Sequence, residues 1–109
     1  MSNRLAKVNA LLHERIAKHL VRKFELPGVF VTVTRVETTP DLKIAKAFIS
    51  VLPDGKRQVA LKALRRFAPS LNKILFRELN CQPVPKVFFH LDEQETYAQD
   101  IDSLLDTLT

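Results

Sequence analysis

GVFVTVTRVETTPDLKIAKAFISVL, residues 28–52, consists of two runs of strand-forming residues separated by one turn. The first run is dense in β-branched side chains, which suit a pleated, half-buried surface better than a helix. TTPDLK then interrupts it, with Pro40 fitting the second position of a tight turn and Asp41 the next. KIAKAFISVL, residues 43–52, is therefore expected to return as an antiparallel partner. Strand residues alternate between faces, so Ala45, Ala47, Ile49 and Val51 form an all-apolar register, while Ile44, Lys46, Phe48 and Ser50 form a mixed one. The apolar register should face helices, and its two alanines let a helix sit close.

Upstream of this hairpin, Leu5, Val8, Leu12, Ile16 and Leu20 recur at three- or four-residue intervals, the spacing of one helix face, with Asn3 a suitable N-cap. Arg4, Lys7, Arg15, Lys18 and Arg22 fall in one sector beside that stripe and give the helix a basic flank. His13 and His19 lie toward the apolar side, where packed imidazoles are expected rather than ligands. Leu26-Pro27-Gly28 ends the helical region.

Downstream, Pro53-Asp54-Gly55 breaks the strand, and Asp54 is placed to cap a helix starting near Lys56. Ala60, Ala63, Leu64 and Phe67 make its inner face. Proline inside a helix removes a hydrogen bond and clashes with the preceding turn, whereas in a first turn it is tolerated. The spacing therefore predicts two helices meeting at an angle at Ala68-Pro69-Ser70, the second with Leu71, Ile74, Leu75 and Leu79 inside. Residues 82–91, QPVPKVFFHL, read as a third strand with Val87, Phe89 and Leu91 on one face, Pro85 marking an edge or a beginning. Thr96 with Gln99 resembles a capping box ahead of Ile101, Leu104, Leu105 and Leu108, a last amphipathic helix. The expected architecture is α+β, a three-stranded sheet with helices on one face and a right-handed crossover to the third strand.

At 109 residues the chain suits one domain, residues 1–109. No apolar run is long enough to cross a bilayer and no leader pattern opens the sequence, so a cytoplasmic protein is expected. Cys81 is alone, which permits no internal disulfide and no CxxC metal spacing. With only Gly28 and Gly55 present, no glycine-rich phosphate cradle can form. His13, His19 and His90 sit in different elements without ligand spacing, so neither metal, cofactor nor catalysis is expected.

Charge is the stronger signal. The net charge of +5 divides into residues 1–91, with seventeen Lys and Arg against six acids, and acidic residues 92–109, with six acids and no base. A basic body points to a polyanion, nucleic acid before membrane, since the apolar stripe of the first helix is needed by the core. Lys62, Arg65, Arg66, Lys73 and Arg77 turn outward across the Pro69 junction, and a second helix starting there would offer free N–H groups to phosphate. Phe76 lies off the inner stripe, either to stack a base or to fill a gap beneath the last helix. Sheet residues such as Phe48 are expected to contribute little.

Several of these segments resemble the bacterial ribosome-binding factor A family. KVNALLHERIAKHLVRK is similar to its first helix, TVTRVETTPDLKIAKAFISV to its most distinctive segment through Asp41, Leu42 and Ala45, and VPKVFFHLD to its third strand through Val84, Pro85, Val87, Phe89 and Asp92. The resemblance implies a type II KH-like domain, a kinked helix junction in place of a GXXG loop, and binding to the small ribosomal subunit during late maturation of its rRNA, without catalysis. Ala68-Pro69-Ser70 stands where the family has Ala-x-Gly, Lys7 where it commonly has arginine, and Glu25-Leu26-Pro27 where it has Asp-Pro-Arg. A monomer is expected. The alternatives are a general single-stranded RNA-binding module on the same fold and a small hydrolase, against which the lack of clustered acids argues.

Overall fold

Strands β1 (Phe30–Thr38) and β2 (Ile44–Leu52) pair antiparallel, from Phe30 opposite Leu52 to Thr38 opposite Ala45. The computed structural model describes residues 2–80 and 82–93. Pro40 and Asp41 occupy the centre of the turn, closed by the Leu42 N–H donating to the Thr39 carbonyl at 2.8 Å. Asp41 accepts the Thr39 hydroxyl at 2.6 Å and the Lys43 N–H at 3.1 Å, which hold its carboxyl below the ordinary aspartate range. Leu42 adopts a left-handed φ of 62°, strained for a residue with a Cβ, while its side chain is only 5% exposed. Burial offsets the local strain.

A bulge between Val33 and Arg35 shifts the register by one residue. Val33 and Val36 both point into the core although three residues apart, and Arg35 is turned to the outer face. Strand β3 (Lys86–Leu91) runs parallel to β2, from Ile44 opposite Lys86 to Ile49 opposite Leu91, giving the order β1-β2-β3. It starts four residues later than the sequence suggests, directly after the buried Pro85, whose missing N–H cannot join a ladder.

Helix α1 (Ser2–Lys23) lies chiefly against β1, and α2 (Arg57–Glu78) against β3. Leu12, Ile16 and Leu20 of α1, Val33, Val36, Ala45, Ala47, Ile49, Val51, Val87 and Phe89 of the sheet, and Ala60, Leu61, Leu64, Leu71 and Leu75 of α2 form one buried cluster. Both helices thus cover the same sheet face, the KH-like α+β arrangement. Between α1 and β1, Val29 N–H donates to the Leu26 carbonyl at 3.1 Å, with Pro27 second and Gly28 third in the turn. Gly28 takes φ +77°, which that third position requires and which glycine adopts without strain.

Three local expectations need correction. α1 begins at Ser2, so Asn3 lies inside it rather than capping it. Asp54 sits in a short 3-10 turn (Asp54–Lys56), and α2 starts at Arg57 with no side-chain cap. The largest difference is at Pro69: Arg57–Glu78 is one unbroken helix, not two helices meeting at Ala68-Pro69-Ser70. An interior proline costs about 3 kcal/mol. Leu64, Leu71 and Leu75 are fully buried on both sides of it, each contributing roughly 1.5–3 kcal/mol, so packing carries the helix through. The expected last helix, with Thr96, Ile101, Leu104, Leu105 and Leu108, lies outside the described residues, as does Cys81.

Candidate nucleic-acid interface

On α2 the cations Lys62, Arg66, Lys73 and Arg77 are all exposed. At about 100° per residue they fall within a sector of roughly 60° and extend over roughly 22 Å of helix axis. Pro69 and Ser70 are exposed beside them, Ala68 is half-buried, and Phe76 is 67% exposed at the margin of the stripe. Arg65, though also exposed, belongs to the opposite flank. It lines a groove of about 480 Å³ between α2 and β3, with Ala68, Pro69, Asn72, Phe88 and His90.

The continuous helix withdraws one expected element. Free backbone N–H groups belong to a helix's first turn, which here lies at Arg57, so Ser70 does not begin a helix and offers no N-terminal anion site. Any anion held at the junction would meet the side-chain cations alone.

Arg4, Lys7, Lys18 and Arg22 are exposed on α1. Arg15 is diverted: its Nη1 donates to Glu78 Oε2 at 3.3 Å, and His19 Nε2 bonds the other carboxylate oxygen. The His19 hydrogen bond, and then the charges of His19, Arg15 and Lys18, hold the Glu78 carboxyl below the ordinary glutamate range. Glu78 therefore joins the basic flank of α1 to the C-terminal end of α2, with Lys18 close enough for its charge to act on the carboxylate. Lys7 and Arg4 lie about 12 and 16 Å further along the α1 axis from Arg15.

Each histidine has a structural occupation. His13 Nε2 bonds the Val33 carbonyl at 2.9 Å, His19 is held by Glu78, and the His90 ring lies 5.8 Å from that of Phe48. Burial first, then Lys46 and Arg65, push the His90 pKa below its ordinary value of 6.5. Among the described residues no group of His, Cys, Asp and Glu is placed to hold a metal, and no helix is long and apolar enough to cross a membrane.

Sequence reasoning missed the cations of the outer sheet face. Lys46 and Lys86 project there beside Phe88. The signal was the alternation of Lys86, Phe88 and His90 with Val87, Phe89 and Leu91, the same pattern that sorts the faces of β2.

Comparison with known proteins converges on one family. The family model for ribosome-binding factor A matches residues 4–105. Ribosome-binding factor A of Thermomicrobium roseum is 34% identical over 106 residues, covering 95% of this chain and 82% of that one. The Thermodesulfovibrio yellowstonii protein of the same name is 35% identical, covering 94% and 87%. The crystal structure of ribosome-binding factor A from Thermus thermophilus shares the fold with a TM-score of 0.69 at 23% identity, over 80% of this chain and 94% of that one. A homology model of the Thermus thermophilus factor, fitted into a cryo-EM map of its 30S complex, matches with a TM-score of 0.62 at 25% identity, over 75% and 88%.

Proposed function

The chain belongs to the ribosome-binding factor A family, and we propose on that footing that it binds the small ribosomal subunit in the bacterial cytoplasm and assists late maturation of its rRNA, acting by binding and not by catalysis. The observation that carries this reading is the outward stripe Lys62, Arg66, Lys73 and Arg77, set on a helix whose other face is locked in the core. A rigid row of cations matches the phosphate backbone of folded RNA and positions the protein without reading bases. Lys18 and Arg22 of α1 extend the surface, Arg4 and Lys7 form its far end, and Arg15 supports it through Glu78. Arg65 serves from the groove flank. The relative seen in a 30S complex supports the choice of partner.

Co-sedimentation with small subunits, large subunits and deproteinised rRNA across a salt series tests this. Retention on small subunits at salt that strips naked rRNA is expected; equal, salt-fragile binding to all three would leave a general RNA binder. Replacing Arg65, Arg66 and Lys73 by alanine should weaken subunit binding with the fold intact. Each lost phosphate contact should flatten the plot of log affinity against log salt by about 0.7–0.9.

A further inference from the structure

The sheet face turned away from the helices is neither core nor ordinary solvated surface. Cross-strand pairing sets its side chains in rows: Arg35, Phe48 and His90 in one, Glu37, Lys46 and Phe88 in the next, then Ile44 and Lys86. In the first row the Arg35 guanidinium lies 3.9 Å over the Phe48 ring, and the Phe48 and His90 centroids are 5.8 Å apart. In the second, Phe88 is 41% exposed with Lys86 Nζ 5.3 Å from its centroid. Arg35 is tied to Glu37 and Asp92, whereas Lys46 and Lys86 are exposed and make no ion pair among the described residues.

An exposed Phe88 ring between lysines that make no ion pair among the described residues fits an extended polyanion that also carries π-faces. We propose that this open sheet face is a second RNA-binding site, where unpaired bases stack on Phe88 and His90 while Lys46 and Lys86 neutralise the phosphates between them. Phe88 and His90 are two residues apart on one strand, hence about 7 Å. That is about twice the ~3.4 Å rise per nucleotide of a duplex strand, so the row accepts bases splayed apart and excludes a continuous stack. Burial and the neighbouring Lys46 and Arg65 favour the neutral His90 ring, a stacking surface rather than a third cation. The helix stripe, in contrast, lies on the other side of the sheet and offers no comparable row of rings. That the partner is RNA rests on the function proposed above; the choice of surface does not.

The chain has no tryptophan, so Phe88→Trp gives it a single indole, placed where this face meets the edge of the groove beside α2. A ten-nucleotide single-stranded RNA should quench its fluorescence saturably, and a blunt RNA hairpin should not. Phe88→Ala should weaken binding of the oligonucleotide about tenfold, the loss of one stacked base, and Phe88→Tyr should restore it. Circular dichroism checks that each variant is folded. Unchanged oligonucleotide affinity in folded Phe88→Ala overturns the proposal. So does a tryptophan signal that ignores RNA but responds when Asp100, Asp102 and Asp106 are changed to asparagine, because the face would then seat the chain's own acidic segment. Failure here with small-subunit retention intact removes only the platform; quenching intact with no subunit retention removes the ribosomal reading instead.

Discussion

Asn72 holds Val87 by both of its backbone polar groups. The side-chain Nδ2 donates to the Val87 carbonyl at 3.2 Å, and Oδ1 accepts the Val87 N–H at 2.8 Å. Even-numbered residues of β3 bond toward β2, as Lys86 N–H does to the Lys43 carbonyl, so Val87 presents its groups to the open edge. α2 thereby closes the part of an edge strand that would otherwise invite pairing with another chain. It also fixes the groove flank carrying Arg65.

Asn72→Ala should destabilise the protein by about 2 kcal/mol, since it leaves two backbone groups unpaired at a partly buried site. Urea unfolding measures this. Asn72→Leu, which keeps the bulk, should cost a similar amount; a neutral Asn72→Leu would show that packing and not the paired bonds matters.

Leu42 gives a test in which glycine should outperform alanine. Leu42→Ala loses the buried side chain yet keeps the left-handed backbone strain, while Leu42→Gly loses the side chain and relieves roughly 1 kcal/mol of strain. Both should be less stable than the parent, with Leu42→Gly the better of the two by about 1 kcal/mol, the reverse of the order in an ordinary strand. Thermal denaturation of the pair decides it.

The Arg15, His19 and Glu78 cluster makes stability depend on acid. The folded Glu78 pKa lies below its unfolded value of about 4.5. Its contribution is therefore full above that value and disappears as pH falls through the depressed folded value. Glu78→Gln should be less stable than the parent at pH 6, and the two stability curves should converge below pH 4.5. A gap that persists undiminished at the lowest pH at which both fold would contradict the assignment.

Pro69 is carried by its neighbours, so Pro69→Ala should restore the hydrogen bond to the Arg65 carbonyl and stabilise the domain by about 1–3 kcal/mol. Calorimetry should show a higher Tm. A lower Tm would mean that the neighbouring leucines pack only around a bend that proline imposes. Comparing small-subunit retention of the same variant shows whether Pro69 also matters for binding.

The candidate site was legible where one element carried it. Lys62, Arg66, Lys73 and Arg77 could be placed together because a 3.6-residue period is a local property, and all remain exposed on one face. Arg15 could not be separated from its basic neighbours, because its partner Glu78 lies 63 residues away. Arg65 falls about 60° outside that sector by the same period, but the groove it lines exists only once β3 lies beside α2.

The sequence by itself determined the first helix, the hairpin with its Pro40-Asp41 turn, the apolar register of β2, the third strand after a helical stretch and the division of charge between body and acidic end. Those follow from periodicity and turn chemistry, each decided within a few residues. Only the tertiary structure decided that α2 runs through Pro69, that a bulge turns Arg35 outward, and that Arg35, Phe48 and His90 form a row. In each case the deciding energy is burial or pairing between residues far apart in the chain, which outweighs a local preference of a few kcal/mol.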